Sequence, residues 1–206
     1  MSKTIKILGI NRHRLKTDGK GVTTLVALPG CPLRCEYCIN KEFLQQTERL
    51  QEVTIEKLIE KLSDDHCYFV YTGGGVTFGG GEPLLQMESI VSFLNECPEE
   101  WNLTIETSLN VPYVHESLLQ SERVSFIIDI KSMNKDIYER YTGKSQEQTI
   151  HNLKEIAKQV AGERYYVRLP RIPGYTTKVH IDESIEALCA LGINKNNIQI
   201  FDYVVE

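Results

Sequence analysis

Val124-Ser-Phe-Ile-Ile-Asp-Ile130 is apolar at nearly every position and does not alternate. A strand with one wet face would carry a polar residue at every second place. A continuous apolar run suits a strand covered on both faces, as in a parallel sheet between helices. Upstream, Val22 to Leu28, Tyr68 to Tyr71 and Leu103 to Thr107 read as further strands; downstream, Tyr165 to Leu169 and Asn197 to Tyr203 do the same. Between them run helical stripes: Ile55, Leu58, Ile59 and Leu62 behind a Thr54 N-cap, then Met87, Ile90, Val91 and Leu94, then a short helix at Ser117 to Gln120. Ile150, Leu153, Ile156, Ala157 and Val160 form a longer stripe, and Ile185 with Leu188 a last one. Strand followed by helix, repeated, predicts an α/β fold with a parallel sheet, outer helices and right-handed crossovers. Six strands fall short of the eight that close a full barrel, so the expectation is a partial (βα)6 TIM-like barrel, one domain over residues 1–206, with its site at the C-terminal strand ends.

Composition agrees with a globular chain: 206 residues, 41% hydrophobic and 25% charged. The formal net charge of −5 argues against nucleic acid as the main partner, because phosphate binding wants a concentrated basic surface. No apolar run is long enough for a membrane span, and no apolar core follows the basic N-terminus as a secretory leader would require. The expected setting is cytoplasmic and reducing, which suits cysteines kept as thiolate ligands.

The cysteines are concentrated where such ligands are useful. Cys31-Pro-Leu-Arg-Cys-Glu-Tyr-Cys38 places three thiols in one short loop at the end of the first strand. A four-iron cluster held by three cysteines keeps one iron open to an exogenous ligand. Zinc is the competing reading, but zinc loops recruit a second cysteine pair at similar spacing, and Cys67, Cys97 and Cys189 are solitary. Six cysteines are also too dilute for a small disulfide scaffold. His66, beside Cys67, reads as a loop histidine upstream of a strand rather than a ligand. The other strong motif is Gly73-Gly-Gly-Val-Thr-Phe-Gly-Gly-Gly-Glu-Pro83, where missing side chains let backbone polar groups approach a ligand closely. No Gly-Lys-Ser/Thr follows to make a phosphate loop. One acid, Glu82, beside a tight turn suits a zwitterionic amino acid better.

Together the cysteine loop and the Gly-Gly-Glu-Pro segment resemble the radical S-adenosylmethionine superfamily. Asp18-Gly-Lys-Gly21, Glu106-Thr-Ser108, Asp129-Ile-Lys131, Tyr141-Thr-Gly143 and Arg171-Ile-Pro-Gly-Tyr175 extend the likeness to the activating enzymes of glycyl radical enzymes. The resemblance implies a [4Fe-4S] cluster on Cys31, Cys35 and Cys38. It also implies S-adenosylmethionine held by Gly80, Gly81, Glu82, Asp129, Lys131 and Arg168, with Tyr37 against the adenine, and a monovalent cation at Glu106, Thr107 and Asp129. The implied reaction is reductive cleavage of S-adenosylmethionine to a 5′-deoxyadenosyl radical that installs a glycyl radical on a partner enzyme. The implied partners are that glycyl radical enzyme and a low-potential electron donor such as flavodoxin or ferredoxin.

The chain also departs from the family pattern. Lys20 replaces the proline of the Asp-Gly-Pro-Gly turn, Gly79 replaces a serine, and Val204 stands where the family has a cofactor-facing histidine. A radical enzyme acting on a peptide or small molecule, and an iron-sulfur module without turnover, are the alternatives the sequence leaves open.

Overall fold

A computed structural model describes residues 3–15 and 17–203. The strands are β1 (Thr4–Ile7), β2 (Gly9–Leu15), β3 (Val22–Leu28), β4 (Gln51–Thr54), β5 (Gly75–Gly80), β6 (Asn102–Thr107), β7 (Val124–Asp129), β8 (Tyr165–Arg171) and β9 (Ile198–Asp202). The α-helices are α1 (Lys41–Gln45), α2 (Ile55–Leu62), α3 (His66–Thr72), α4 (Met87–Glu96), α5 (Glu116–Gln120), α6 (Lys135–Thr142), α7 (Glu147–Gln159) and α8 (Lys178–Ala190). The main sheet has the order β2-β3-β5-β6-β7-β8-β9. Every pair from β3 to β9 is parallel, and only β2 runs antiparallel, against β3. Six parallel strands with helical crossovers make the partial barrel that the apolar run predicts. Phe126 and Ile128 are fully buried, and Ile127 on the opposite face is 1% exposed, so β7 is covered on both sides.

One expected strand is absent. Tyr68 to Tyr71 belongs to α3, not to the sheet. A turn at Ser63–Asp65 carries the chain from α2 directly into it, and Gly73 ends it in a left-handed turn whose N–H bonds Phe69 O. Thr72 Oγ1 also donates back to Tyr68 O at 2.7 Å. The second parallel strand lies in the glycine run itself, as β5. Glycine is demanded there by crowding: a Cβ on Gly75 would come within 1.9 Å of Asn102 O on the neighbouring strand. His66 accordingly opens a helix rather than a loop, and its Nδ1 accepts the buried Trp101 indole N–H at 3.0 Å.

The remaining boundaries follow the local chemistry. Thr54 does cap α2, accepting from Lys57 N at 3.2 Å. Asn134 does the same for α6, which buries Ile137, Tyr138, Tyr141 and Thr142 along one face. The aromatic core gathers Phe69, Phe78, Phe93 and Trp101, with ring centroids 5.2 Å apart for Phe69 with Trp101 and for Phe78 with Phe93. β1 and β4 form a separate antiparallel ribbon. No helix among the described residues is long and apolar enough to cross a membrane. Among the described residues β2 and β9 are each paired on one side only, so the barrel stays open between them.

Candidate functional site

The open side leads to a cavity of about 860 Å³ at the C-terminal ends of the parallel strands. Its wall includes Cys31, Cys35 and Cys38, and none of the three is in a disulfide. The loop carrying them is fastened in three places. At its entry, Leu28 O accepts Gly81 N at 3.0 Å and Gly30 O accepts Glu82 N at 2.8 Å. At its centre, Arg34 N donates to Thr142 O at 2.8 Å and Glu36 N to Tyr141 O at 3.2 Å. Those acceptors belong to the last turn of α6, where helix carbonyls lack internal donors, so the loop satisfies the helix end and the helix end shapes the loop. At its exit, Asn40 Nδ2 donates to Gly80 O at 2.9 Å.

These residues fit an iron-sulfur cluster. Among the described residues no three Cys, His, Asp or Glu side chains converge as a single ion needs. A four-iron cluster instead takes each thiolate on its own iron. Cys31 is exposed on the cavity wall, yet partial desolvation there pushes its thiol up to about 11. Burial also raises Cys35, against the opposing pull of the nearby Lys131 ammonium. Cluster binding must therefore displace protons from these sulfurs.

Opposite the loop, β6, β7 and β8 present an alternating set of charges. The β7–β8 register sets Asp129 beside Arg168. Arg168 Nε reaches Asp129 Oδ1 at 2.9 Å, its Nη2 reaches Glu106 Oε1 at 3.2 Å, and Lys131 Nζ lies 3.4 Å from Asp129 Oδ2. Burial would raise Asp129, but Lys131 and Arg168 outweigh it and hold the carboxyl below its ordinary value. Lys131 is held above its ordinary value because Asp129 and the Cys35 sulfur more than offset its burial. Glu106 behaves differently: burial pushes it up to about 7, Arg168 pulls back, and Asp18 and Asp129 push it further. It borders Gly79, where a Cβ would stand 2.8 Å from Glu106 Oε2, so the missing side chain makes room for this carboxylate.

Glu82 lines the same cavity at 1% exposure, yet its carboxylate is already engaged. Oε1 accepts from Thr107 Oγ1 at 2.7 Å and Leu84 N at 3.2 Å; Oε2 accepts from Ser108 Oγ at 2.7 Å and Ser108 N at 2.9 Å. Burial still prevails over these donors and raises its pKa. Its geometric effect is to pin the end of β6 to the glycine turn. The turn needs Gly81, since a Cβ there would fall 2.0 Å from Gly30 O.

The cavity thus brings together Cys31, Cys35, Cys38, Gly80, Gly81, Glu82, Glu106, Thr107, Asp129, Lys131 and Arg168. Tyr37 is not in its wall. Its ring packs 6.1 Å from Tyr141 and 6.2 Å from Tyr175. Val204 lies outside the described residues. Three residues with no assigned role in the sequence reading also belong here. Arg14 makes a two-pronged contact with Asp18, one arm at 3.1 Å, Ser108 holds Glu82, and Asn40 holds Gly80. For Asn40 a signal existed, a polar residue two places after the last loop cysteine.

Residues 25–188 match the radical SAM superfamily. The pyruvate formate-lyase-activating enzyme of Clostridium pasteurianum is 32% identical over 182 residues, 88% of this chain and 74% of that protein. Its counterpart in Staphylococcus aureus strain USA300 is 30% identical over 166 residues, 77% of this chain and 65% of that protein. The chain thus spans about two thirds to three quarters of these relatives' length. In fold, it superposes on Streptococcus suis SuiB bound to S-adenosylmethionine with a TM-score of 0.62 at 16% identity, over 88% of this chain and 39% of that one. Coproporphyrinogen III oxidase (HemN) from Escherichia coli, described as a radical SAM enzyme, gives 0.53 at 15% identity, over 87% and 43%.

Proposed function

Because this chain belongs to the radical SAM superfamily, we propose that it is an activating enzyme that installs a glycyl radical on a partner protein. When bound, the [4Fe-4S] cluster supplies the electron that cleaves S-adenosylmethionine reductively to methionine and a 5′-deoxyadenosyl radical. Cys31, Cys35 and Cys38 would hold the cluster. Lys131 and Arg168 would meet the methionine carboxylate, a charge-assisted contact in a partly desolvated wall. Asp129, shared by both cations, keeps them oriented before the cofactor arrives. Glu82 fixes the turn at Gly80 and Gly81, whose backbone would receive the methionine amino group. Glu106, Thr107 and Asp129 would accommodate a monovalent cation, and Tyr37 would approach the adenine from the aromatic cluster behind the loop.

The observation that carries the reading is one cavity reaching both the cysteine loop and the gap between β2 and β9. Such a gap would let a glycine-bearing loop of a large partner reach the cofactor while the strands behind shield the reaction from water. Supporting it are the two activating-enzyme relatives at 30% identity and above. The partners in this reading are a glycyl radical enzyme and a low-potential flavodoxin or ferredoxin.

Anaerobically reconstituted protein with a strong reductant should release 5′-deoxyadenosine from S-adenosylmethionine; none released would overturn the reaction. With a candidate partner carrying Cα-deuterated glycine, the label should appear in 5′-deoxyadenosine alongside a protein radical signal. Product without label or protein radical would overturn the glycyl assignment alone.

A further inference from the structure

The geometry points to Asn40 as a positioning residue that couples the cysteine loop to the turn receiving the amino group of S-adenosylmethionine. The inference rests on the reaction proposed above but concerns a contact that reaction does not require. Gly80-Gly81-Glu82 is bonded by both stems of the cysteine loop. The entry stem contributes only backbone, Leu28 O and Gly30 O, accepting from Gly81 N and Glu82 N. The exit stem contributes a side chain, Asn40 Nδ2, donating to Gly80 O at 2.9 Å. Asn40 itself is partly buried, lines the cavity, and begins α1, where its own carbonyl accepts Leu44 N at 2.8 Å. Its backbone is thus anchored to the segment after Cys38, and its amide reaches across to the strand end of β5.

Three consequences follow from the chemistry of that contact. A carbonyl oxygen has two lone pairs. Asn40 occupies one on Gly80 and leaves the other for an ammonium donor, while fixing the direction in which the oxygen points. An amide donor also polarises the carbonyl it bonds, making it a stronger acceptor for a second donor. Asn40 also ties the position of Cys38, two residues earlier, to that of the carbonyl. The thiolate that would hold iron and the oxygen that would hold the amino group then move as one unit. Any displacement between them would separate the cluster from the sulfonium it must reduce, and a small misplacement at a reacting centre is costly in rate.

The test uses full-length protein with wild-type Asn40, Asn40→Ala, Asn40→Asp and Asn40→Ser. Iron content and thermal midpoint should stay close to wild type in Asn40→Ala, because the loop keeps its entry and central anchors. Affinity for S-adenosylmethionine, measured by titrating the electron paramagnetic resonance signal of the reduced cluster, should weaken about tenfold in Asn40→Ala, as expected for one oriented hydrogen bond. Asn40→Asp, the same size but presenting an acceptor to the Gly80 carbonyl, should bind more weakly still, and Asn40→Ser, which keeps a donor, should recover part of the loss. In metal-free protein, amide hydrogen exchange at Gly81 and Glu82 should accelerate in Asn40→Ala, a readout independent of turnover. Wild-type affinity, spectral response and exchange in Asn40→Ala and Asn40→Asp would overturn the assignment. So would loss of the cluster in all three variants, which would make Asn40 a support of the loop alone. A wild-type cluster with no response to S-adenosylmethionine would instead overturn the reaction, so the two failures are distinguishable.

Discussion

At the scale of single residues, the site separates Asp129, whose charge is supported, from Glu82 and Glu106, whose charge burial opposes. Asp129 has two cations within 3.4 Å, whereas Glu106 has one arm of Arg168 and two neighbouring acids. With Glu106 raised from 4.5 to about 7, the folded protein keeps a proton that the unfolded chain releases in that window. Its contribution to stability is therefore full below the unfolded value and is lost as pH rises through the folded one. The thermal midpoint of metal-free protein should decline across this range, and Glu106→Gln should flatten the decline; parallel profiles would contradict the assignment. Glu82→Ala is expected to strand the buried Thr107 and Ser108 donors and cost about 3 kcal/mol in urea unfolding. A loss confined to cofactor binding, with no change in stability, would show that Glu82 does not pin β6. The cysteines carry an opposite pH signature. Because burial raises Cys31 and Cys35, thiolate is scarce near neutrality, and iron uptake during reconstitution should quicken from pH 7 to 8.5, roughly in step with the thiolate fraction.

At the scale of elements, legibility in the sequence tracked how much side-chain pattern each one carries. β3 and β7 were readable because their apolar runs are long, and α2 because its stripe begins at a capping threonine. α3 misled because Tyr68, Phe69, Val70 and Tyr71 have strand-like composition, while the deciding features are the preceding turn and the Gly73 cap. β5 was hidden for the opposite reason: half of its six residues are glycine, which carry no side-chain pattern, and the need for glycine at Gly75 lies in backbone crowding from a strand distant in sequence. Gly75→Ala should consequently cost about 3 kcal/mol or prevent soluble expression, although alanine is ordinarily a mild change. Near-normal stability there would mean that β5 and β6 can part without penalty. Among the site residues, the cysteines stood out by their spacing, whereas Asp129 and Lys131 entered only through the family resemblance. Ser108 and Asn40 were not assigned roles because each acts on a partner distant in sequence, Glu82 and Gly80, that the tertiary structure brings near; Arg14 pairs with Asp18 only four residues on, a spacing that carries no signal outside a helix.

At the scale of the whole molecule, the prediction is cooperativity. Trp101 is fully buried, meets Phe69 edge to face, lies tilted against Phe93, and donates to His66, so its fluorescence reports the packing of α3 and α4 against β5 and β6. If the chain is one domain, its fluorescence transition in denaturant should coincide with the far-ultraviolet circular dichroism transition. Two separated midpoints would divide the barrel into independently folding parts.

The three anchors of the cysteine loop bear on how the protein would survive damage. Ordering eight free residues, the span from Cys31 to Cys38, would oppose metal binding by roughly 1–2 kcal/mol each. Here that ordering already belongs to folding of the barrel, through contacts made by protein alone. Unlike a small zinc finger, which collapses when its ion leaves, this scaffold should outlast its metal. Oxygen could strip the iron and leave a standing mould, and repair would then be refilling rather than refolding.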